Sequence, residues 1–140
     1  MAATTVPGTC LCGGVQFEID LPTLYCVHCH CSMCRRAHGA GYVTWIGVPC
    51  DRFRVVSGAA QLRRFRSSAH GTRGFCTTCG STMFFESTEH PDFLDVALAN
   101  VAGAIDRLPE FHAYFSDRAP WVQVDDDLPR FGGPSGLEPI

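Results

Sequence analysis

Polar and apolar positions alternate along Val15-Gln16-Phe17-Glu18-Ile19, which places Val15, Phe17 and Ile19 on one side of an extended chain. Residues 42–48 are β-branched and aromatic. Residues 53–56, 61–65, 82–85 and 93–97 are further short runs of strand-forming type, bounded by Gly, Ser, Asp or Pro. The pattern predicts a mostly β protein. Helical spacing is never sustained; one brief helix is predicted over residues 32–37 and a turn over residues 101–105. No internal repeat or low-complexity tract is present, and the Pro/Gly-rich residues 131–140 are expected to form a loosely packed tail.

With 140 residues, 46% of them hydrophobic, the chain has enough apolar material for one packed domain over residues 1–140 and too much for a disordered segment. The run lacking charge at residues 37–50 is broken by Gly39, Gly41, Gly47 and Pro49 and falls short of the roughly 20 residues a membrane span requires. Residues 1–8 hold neither the basic cluster nor the apolar core of a secretory leader, so a cytoplasmic location is expected. All 11 basic residues are arginine, which excludes Schiff-base chemistry, a lysine base and a Walker-type phosphate loop. Residues 1–85 carry eight arginines against three acids, and the remainder three against eleven. That split suits a site for small anions, whereas a nucleic-acid binder would be basic throughout.

Nine cysteines change the picture most. An odd number without an export signal argues for metal ligation over a disulfide framework. Cys10 and Cys12 precede Gly13, and Cys76 and Cys79 precede Gly80, so each pair forms a hook whose following glycine lets backbone N–H groups turn toward the sulfurs. Two hooks complete a tetrahedron of thiolates for zinc. This reads as a structural site that closes a long loop.

Cys26, Cys29, Cys31 and Cys34, with His28 and His30 between them, offer more ligands than one zinc accepts. Two arrangements are open. Cys29, Cys31 and Cys34 can hold a zinc with its fourth position free, as in a catalytic site; Cys26 can instead close a second four-thiolate structural site. In the open form zinc with three thiolates carries a net negative charge, which favours holding a substrate thiol as thiolate over hydrolysis by bound water. Arg35 and Arg36 would offset that charge. His28 and His30 are expected to be exposed or to support the ligands, not to bind metal.

Residues 8–15 (Gly-Thr-Cys-Leu-Cys-Gly-Gly-Val), 28–36, 75–81 (Phe-Cys-Thr-Thr-Cys-Gly-Ser) and the later Pro120-Trp121 and Leu128-Pro129-Arg130-Phe131 resemble the glutathione-dependent formaldehyde-activating enzyme family, which includes the centromere protein V group. The resemblance spans nearly the whole chain. It implies a β-tent fold with two Zn2+ ions, one structural on Cys10, Cys12, Cys76 and Cys79 and one catalytic on Cys29, Cys31 and Cys34. Cys26 and Cys50 fall outside that ligand pattern. The implied activity is that of a carbon–sulfur lyase adding glutathione, or a similar small thiol, to formaldehyde to give S-hydroxymethylglutathione. The implied partners are small molecules, a thiol and an aldehyde, with neither nucleic acid nor membrane involved. Two alternatives stay open: a zinc-stabilised binding module without catalysis, and a zinc-thiolate enzyme for another thiol or electrophile.

Substrate carboxylates call for arginine. Arg35 and Arg73 are the candidates for that role, Arg73 because it shortly precedes the second hook; Arg63, Arg64 and Arg66 fit a solvated strand face. His112 and Tyr114 resemble a His-x-aromatic strand of the family, with His112 expected to be a satisfied core residue. Trp45 and Trp121 are assigned to core packing, and Asp125-Asp126-Asp127 to a solvated turn.

Overall fold

Alternation in residues 16–20 does what it predicts: in strand β2 (Gln16–Asp20) Phe17 and Ile19 are fully buried while Gln16 faces solvent. The computed structural model describes residues 4–140. Strand β1 (Thr5–Thr9) pairs antiparallel with β2, and β2 pairs with β5 (Phe53–Ser57), forming a three-stranded sheet. A seven-stranded sheet follows the order β10-β3-β4-β9-β8-β7-β6. Its members are β3 (Tyr25–Cys29), β4 (Val43–Pro49), β6 (Leu62–Arg66), β7 (Gly71–Cys76), β8 (Thr82–Ser87), β9 (Phe93–Ala97) and β10 (Phe111–Ala113). All neighbours in it are antiparallel except β10 and β3.

The two sheets enclose the main core. Val6, Phe17 and Ile19 pack with Cys26, Ile46, Val48, Met83, Phe84, Leu94 and Val96. Phe84 meets Phe17 edge-on at 5.1 Å and Phe53 at 4.9 Å. The opposite face of the large sheet carries a second cluster of Val27, Cys29, Val43, Trp45, Ala97 and Ala113 with Cys34 of helix α1 (Ser32–His38). The mostly β class with one α-helix agrees with expectation.

Three strands carry weak sequence signals. In β1, Pro7 and Gly8 read as breakers, yet Gly8 lies beneath the Phe17 ring, where a Cβ would sit 2.0 Å from Cζ. In β7, Gly71 and Gly74 similarly face Phe85 and Phe84. In β3 the density of cysteine and histidine hides an ordinary strand. The turn expected over residues 101–105 is displaced: a 3-10 turn occupies Leu98–Asn100, and Val101 bridges to Gly8.

Trp45 is buried as expected, but Trp121 is 70% exposed and lies against Gly41, so its assignment to the core is corrected. Its segment lacks strand pairing to carry it inward. Beyond it, β11 (Phe131–Gly132) and β12 (Glu138–Pro139) form a short antiparallel pair, with the Phe131 ring packed on Phe111.

Candidate metal centres

Cys10 follows β1 directly and Cys12 lies in a turn that Gly13 closes at φ +79°. Gly80 reaches the same φ after Cys79, and its N–H donates to the Cys76 carbonyl. Sulfurs of the two hooks meet: Cys10 Sγ lies 3.6 Å from Cys12 Sγ, which lies 3.8 Å from Cys76 Sγ, and all four sulfurs including Cys79 fall within 4.8 Å of one another. A tetrahedron with metal–sulfur bonds of about 2.3 Å has edges of about 3.8 Å, so the set fits zinc. Amides support it, Val15 N–H donating to Cys10 Sγ at 3.2 Å and Gly14 N–H to Cys12 Sγ at 3.4 Å. The Ser81 hydroxyl and N–H hold Cys79 well below the usual thiol range, at about 5.

The second group forms where β3 runs into α1. Cys29 is the last residue of β3, Cys31 is the N-cap of α1, and Cys34 lies within the helix. Cys31 Sγ accepts the Cys34 N–H at 3.3 Å, a thiol doing what serine or aspartate does at other helix starts. Cys29 and Cys34 sulfurs lie 3.6 Å apart, and all three fall within 4.8 Å. This set also fits a soft tetrahedral ion, with three ligands supplied by the chain. Hydrogen bonds from Cys29 and Cys34 hold Cys31 far down, at about 3, while Cys29 is pushed up.

Cys26 does not join this group. It is fully buried in the core between the two sheets, where burial raises its thiol to about 11. Cys50 stands apart from both groups, exposed and donating to the Pro91 carbonyl at 3.4 Å.

Arg73 is 4% exposed and reaches the second group: both terminal nitrogens lie 3.6 Å from Cys34 Sγ, Nε donates to Ser67 Oγ at 3.2 Å, and the guanidinium lies 4.9 Å from the Phe85 ring centroid. Arg35 donates to the carbonyls of His30 at 3.3 Å and Asp117 at 3.1 Å. Both guanidinium groups are thus held by protein acceptors. Arg36 is exposed on α1, and of the β6 arginines Arg64 pairs with Glu86 at 2.9 Å.

Histidines line the back of the Cys29–Cys31 turn. His30 is fully buried, its Nε2 2.8 Å from His112 Nδ1, and His112 Nε2 lies 3.0 Å from the exposed Asp126 carboxylate. His112 is therefore a satisfied core residue, and Asp126 is an anchor as well as part of a solvated turn. Burial, reinforced by His112, lowers His30 to about 4, so it is neutral. His28 bonds Thr44 Oγ1 at 2.8 Å. The Asp126–His112–His30 chain was not legible in the sequence; the one signal was a histidine in a predicted strand followed by an acidic run. Tyr25 and Asp95, a hydrogen-bonded pair on the cysteine face of the sheet, escaped it too.

A mostly β fold with a four-cysteine hook pair and a separate three-cysteine group defines a class of candidate zinc proteins. The profile of the glutathione-dependent formaldehyde-activating enzyme family matches residues 5–117, and the chain belongs to that family. A Halomonas elongata protein provisionally named a glutathione-dependent formaldehyde-activating enzyme is 28% identical over 126 residues, covering 84% of this chain and 80% of that one. An uncharacterized lyase of Schizosaccharomyces pombe is 30% identical over 95 residues, 65% of this chain and 66% of its own. A crystal structure of a Rhodobacter sphaeroides protein superposes with a TM-score of 0.61 at 30% identity, covering 72% of this chain and 92% of that one. Among the described residues, no helix is long and apolar enough to cross a membrane.

Proposed function

We propose that this chain is a carbon–sulfur lyase-type enzyme joining formaldehyde to glutathione, or to a similar small thiol, with a structural zinc on Cys10, Cys12, Cys76 and Cys79 and a catalytic zinc on Cys29, Cys31 and Cys34. The observation that carries this reading is the difference in ligand number: four sulfurs converge at the hooks, but only three at the α1 start, with Cys26 in another core. When bound at that second group, zinc holds a substrate thiol as its thiolate.

The chain's own groups do the rest. Cys31 caps α1 and so fixes the spacing to Cys34, and the buried His30 and His112, anchored by the exposed Asp126, brace the turn from behind. Arg73 donates to Cys34 Sγ and spreads the negative charge that gathers at this end of the helix. Trp45 and Phe85 keep the adjoining sheet face apolar and limit water there. In the reaction a thiol sulfur forms a bond to the aldehyde carbon, the carbonyl π pair moves to oxygen, and the proton lost by the thiol is returned to that oxygen. The product, S-hydroxymethylglutathione when the thiol is glutathione, balances thiol plus formaldehyde with no redox partner.

Exchange NMR on 13C-formaldehyde and glutathione tests the reading. Interconversion of free and adduct forms should accelerate with protein concentration and lose that acceleration in Cys31→Ser. An unchanged rate with metal fully loaded would overturn the enzyme assignment and leave a zinc-stabilised binding module.

A further inference from the structure

A cavity of about 490 Å3 lies between α1 and strands β6–β8. Met33, Arg36 and Ala37, at i, i+3 and i+4, face it from the helix; Phe65, Ser67, Arg73, Phe75 and Thr82 complete the lining. Strand register explains its position. Phe65 pairs with Arg73, and Arg73 with Phe85, so the Phe65 side of the cavity adjoins the guanidinium that donates to Cys34 Sγ. The cavity and the three-cysteine group therefore share a wall.

Its chemistry is selective. Met33 and Phe65 form exposed apolar lips, at 43% and 62% exposure. No acidic residue belongs to the lining. Of its two arginines, Arg73 is turned inward to Cys34 and Ser67, while the Arg36 guanidinium has no hydrogen bond or ion pair among the described residues. A ligand here meets aromatic and thioether surface and one available guanidinium. Glutathione carries two carboxylates and an ammonium on a polar peptide frame, and its ammonium finds no counter-charge on these walls.

Building on the zinc-thiolate reading above, we infer that this cavity holds the body of the thiol co-substrate and selects a monocarboxylate thiol on an apolar, aromatic-sized frame over glutathione, with Arg36 taking the carboxylate and Phe65, Phe75 and Met33 the frame. Arg36 and Phe65 are the specificity-determining residues.

Calorimetric titration of the full chain as purified, using two thioethers that have no thiolate to give a metal, tests cavity preference independently of catalysis. The probes are 4-(methylthio)phenylacetate and S-methylglutathione. The first should bind about tenfold more tightly than the second, with Arg36→Gln weakening it about tenfold and Phe65→Ser about fivefold. Both side chains are exposed, so thermal melting should show both variants folded. Equal or tighter binding of S-methylglutathione, binding of neither probe, or indifference to Arg36→Gln would overturn the inference. Formaldehyde exchange measured with the corresponding free thiols separates the two claims. Cavity preference without exchange would remove the lyase reading alone, whereas exchange with glutathione and no preference would remove this inference alone.

Discussion

Cys26 and Cys29 leave opposite faces of the same strand: Cys26 enters the core beside Ile46, and Cys29 enters the second cluster with Val43 and Cys34. An odd separation along a pleated strand forces this divergence, whatever the spacing suggests about shared ligation. The second cysteine group is limited to three sulfurs for that reason.

Replacing Cys26 with alanine should therefore leave the zinc content unchanged and cost about 1 kcal/mol of stability for a small core cavity. Cys31→Ser should lose one zinc of two and stay folded. Native mass spectrometry reads both, and loss of a zinc from the Cys26 variant would count against the three-ligand assignment.

Cys12 and Cys76 sulfurs meet across 64 residues of chain. Structural zinc contributes about 10 kcal/mol or more in small domains, comparable to a whole domain's stability of about 5–15 kcal/mol. Cys76→Ser should accordingly unfold at room temperature by circular dichroism, and a cooperative melt close to wild type would remove the structural role.

Gly47 sits between Tyr25 and Asp95 in register, with the Tyr25 ring lying across it; a Cβ at residue 47 would stand 2.4 Å from that ring. The missing side chain is what lets the Tyr25 hydroxyl donate to Asp95. Gly47→Ala should destabilise by about 1–3 kcal/mol, and much less in a Tyr25→Ala background. Additive losses in urea denaturation would contradict this geometry.

Burial raises the Asp95 carboxyl from 3.8 to about 6, against the opposing influence of Tyr25, His90 and Arg73; Cys34 also faces it. Between these values the folded protein holds a proton that the unfolded chain has released, so this group makes stability fall as pH rises through the window and adds no slope above it. Asp95→Asn should flatten the urea midpoint over that interval. A slope identical to wild type would place its origin elsewhere.

His112 is the sole hydrogen-bond partner of the buried His30 ring among the described residues, and Asp126 is the partner of the His112 ring. His112→Phe should cost about 2 kcal/mol by stranding a buried ring nitrogen, whereas Asp126→Asn, at an exposed position, should cost less than about 1 kcal/mol. Equal melting-temperature losses for the two would contradict a core placement of the histidines.

Local signals settled a large part of this molecule. Alternation predicts β2, β-branched and aromatic runs predict β4, β5, β6, β8 and β9, and residues 32–37 predict α1, because each depends on side-chain periodicity within a few residues. The cysteine hooks were legible for the same reason, each being a short spacing followed by a glycine at positive φ. Other features depended on partners distant in sequence. β1 and β7 contain glycines that read as breakers until Phe17, Phe84 and Phe85 are seen filling the space above them. Spacing left Cys26 a ligand candidate, and strand parity with sheet packing removed it from the group. Arg73 read as a carboxylate binder, but register sets it beside Phe85 and against Cys34. His30, His112 and Asp126 are separated by up to 96 positions and become a chain only where β10 pairs in parallel with β3. Sequence alone thus determined the regularly patterned strands and the sulfur-rich hooks, whose causes are local; tertiary structure decided which sulfurs converge, the arginine orientation and the histidine brace, because those require long-range pairing to bring the groups together.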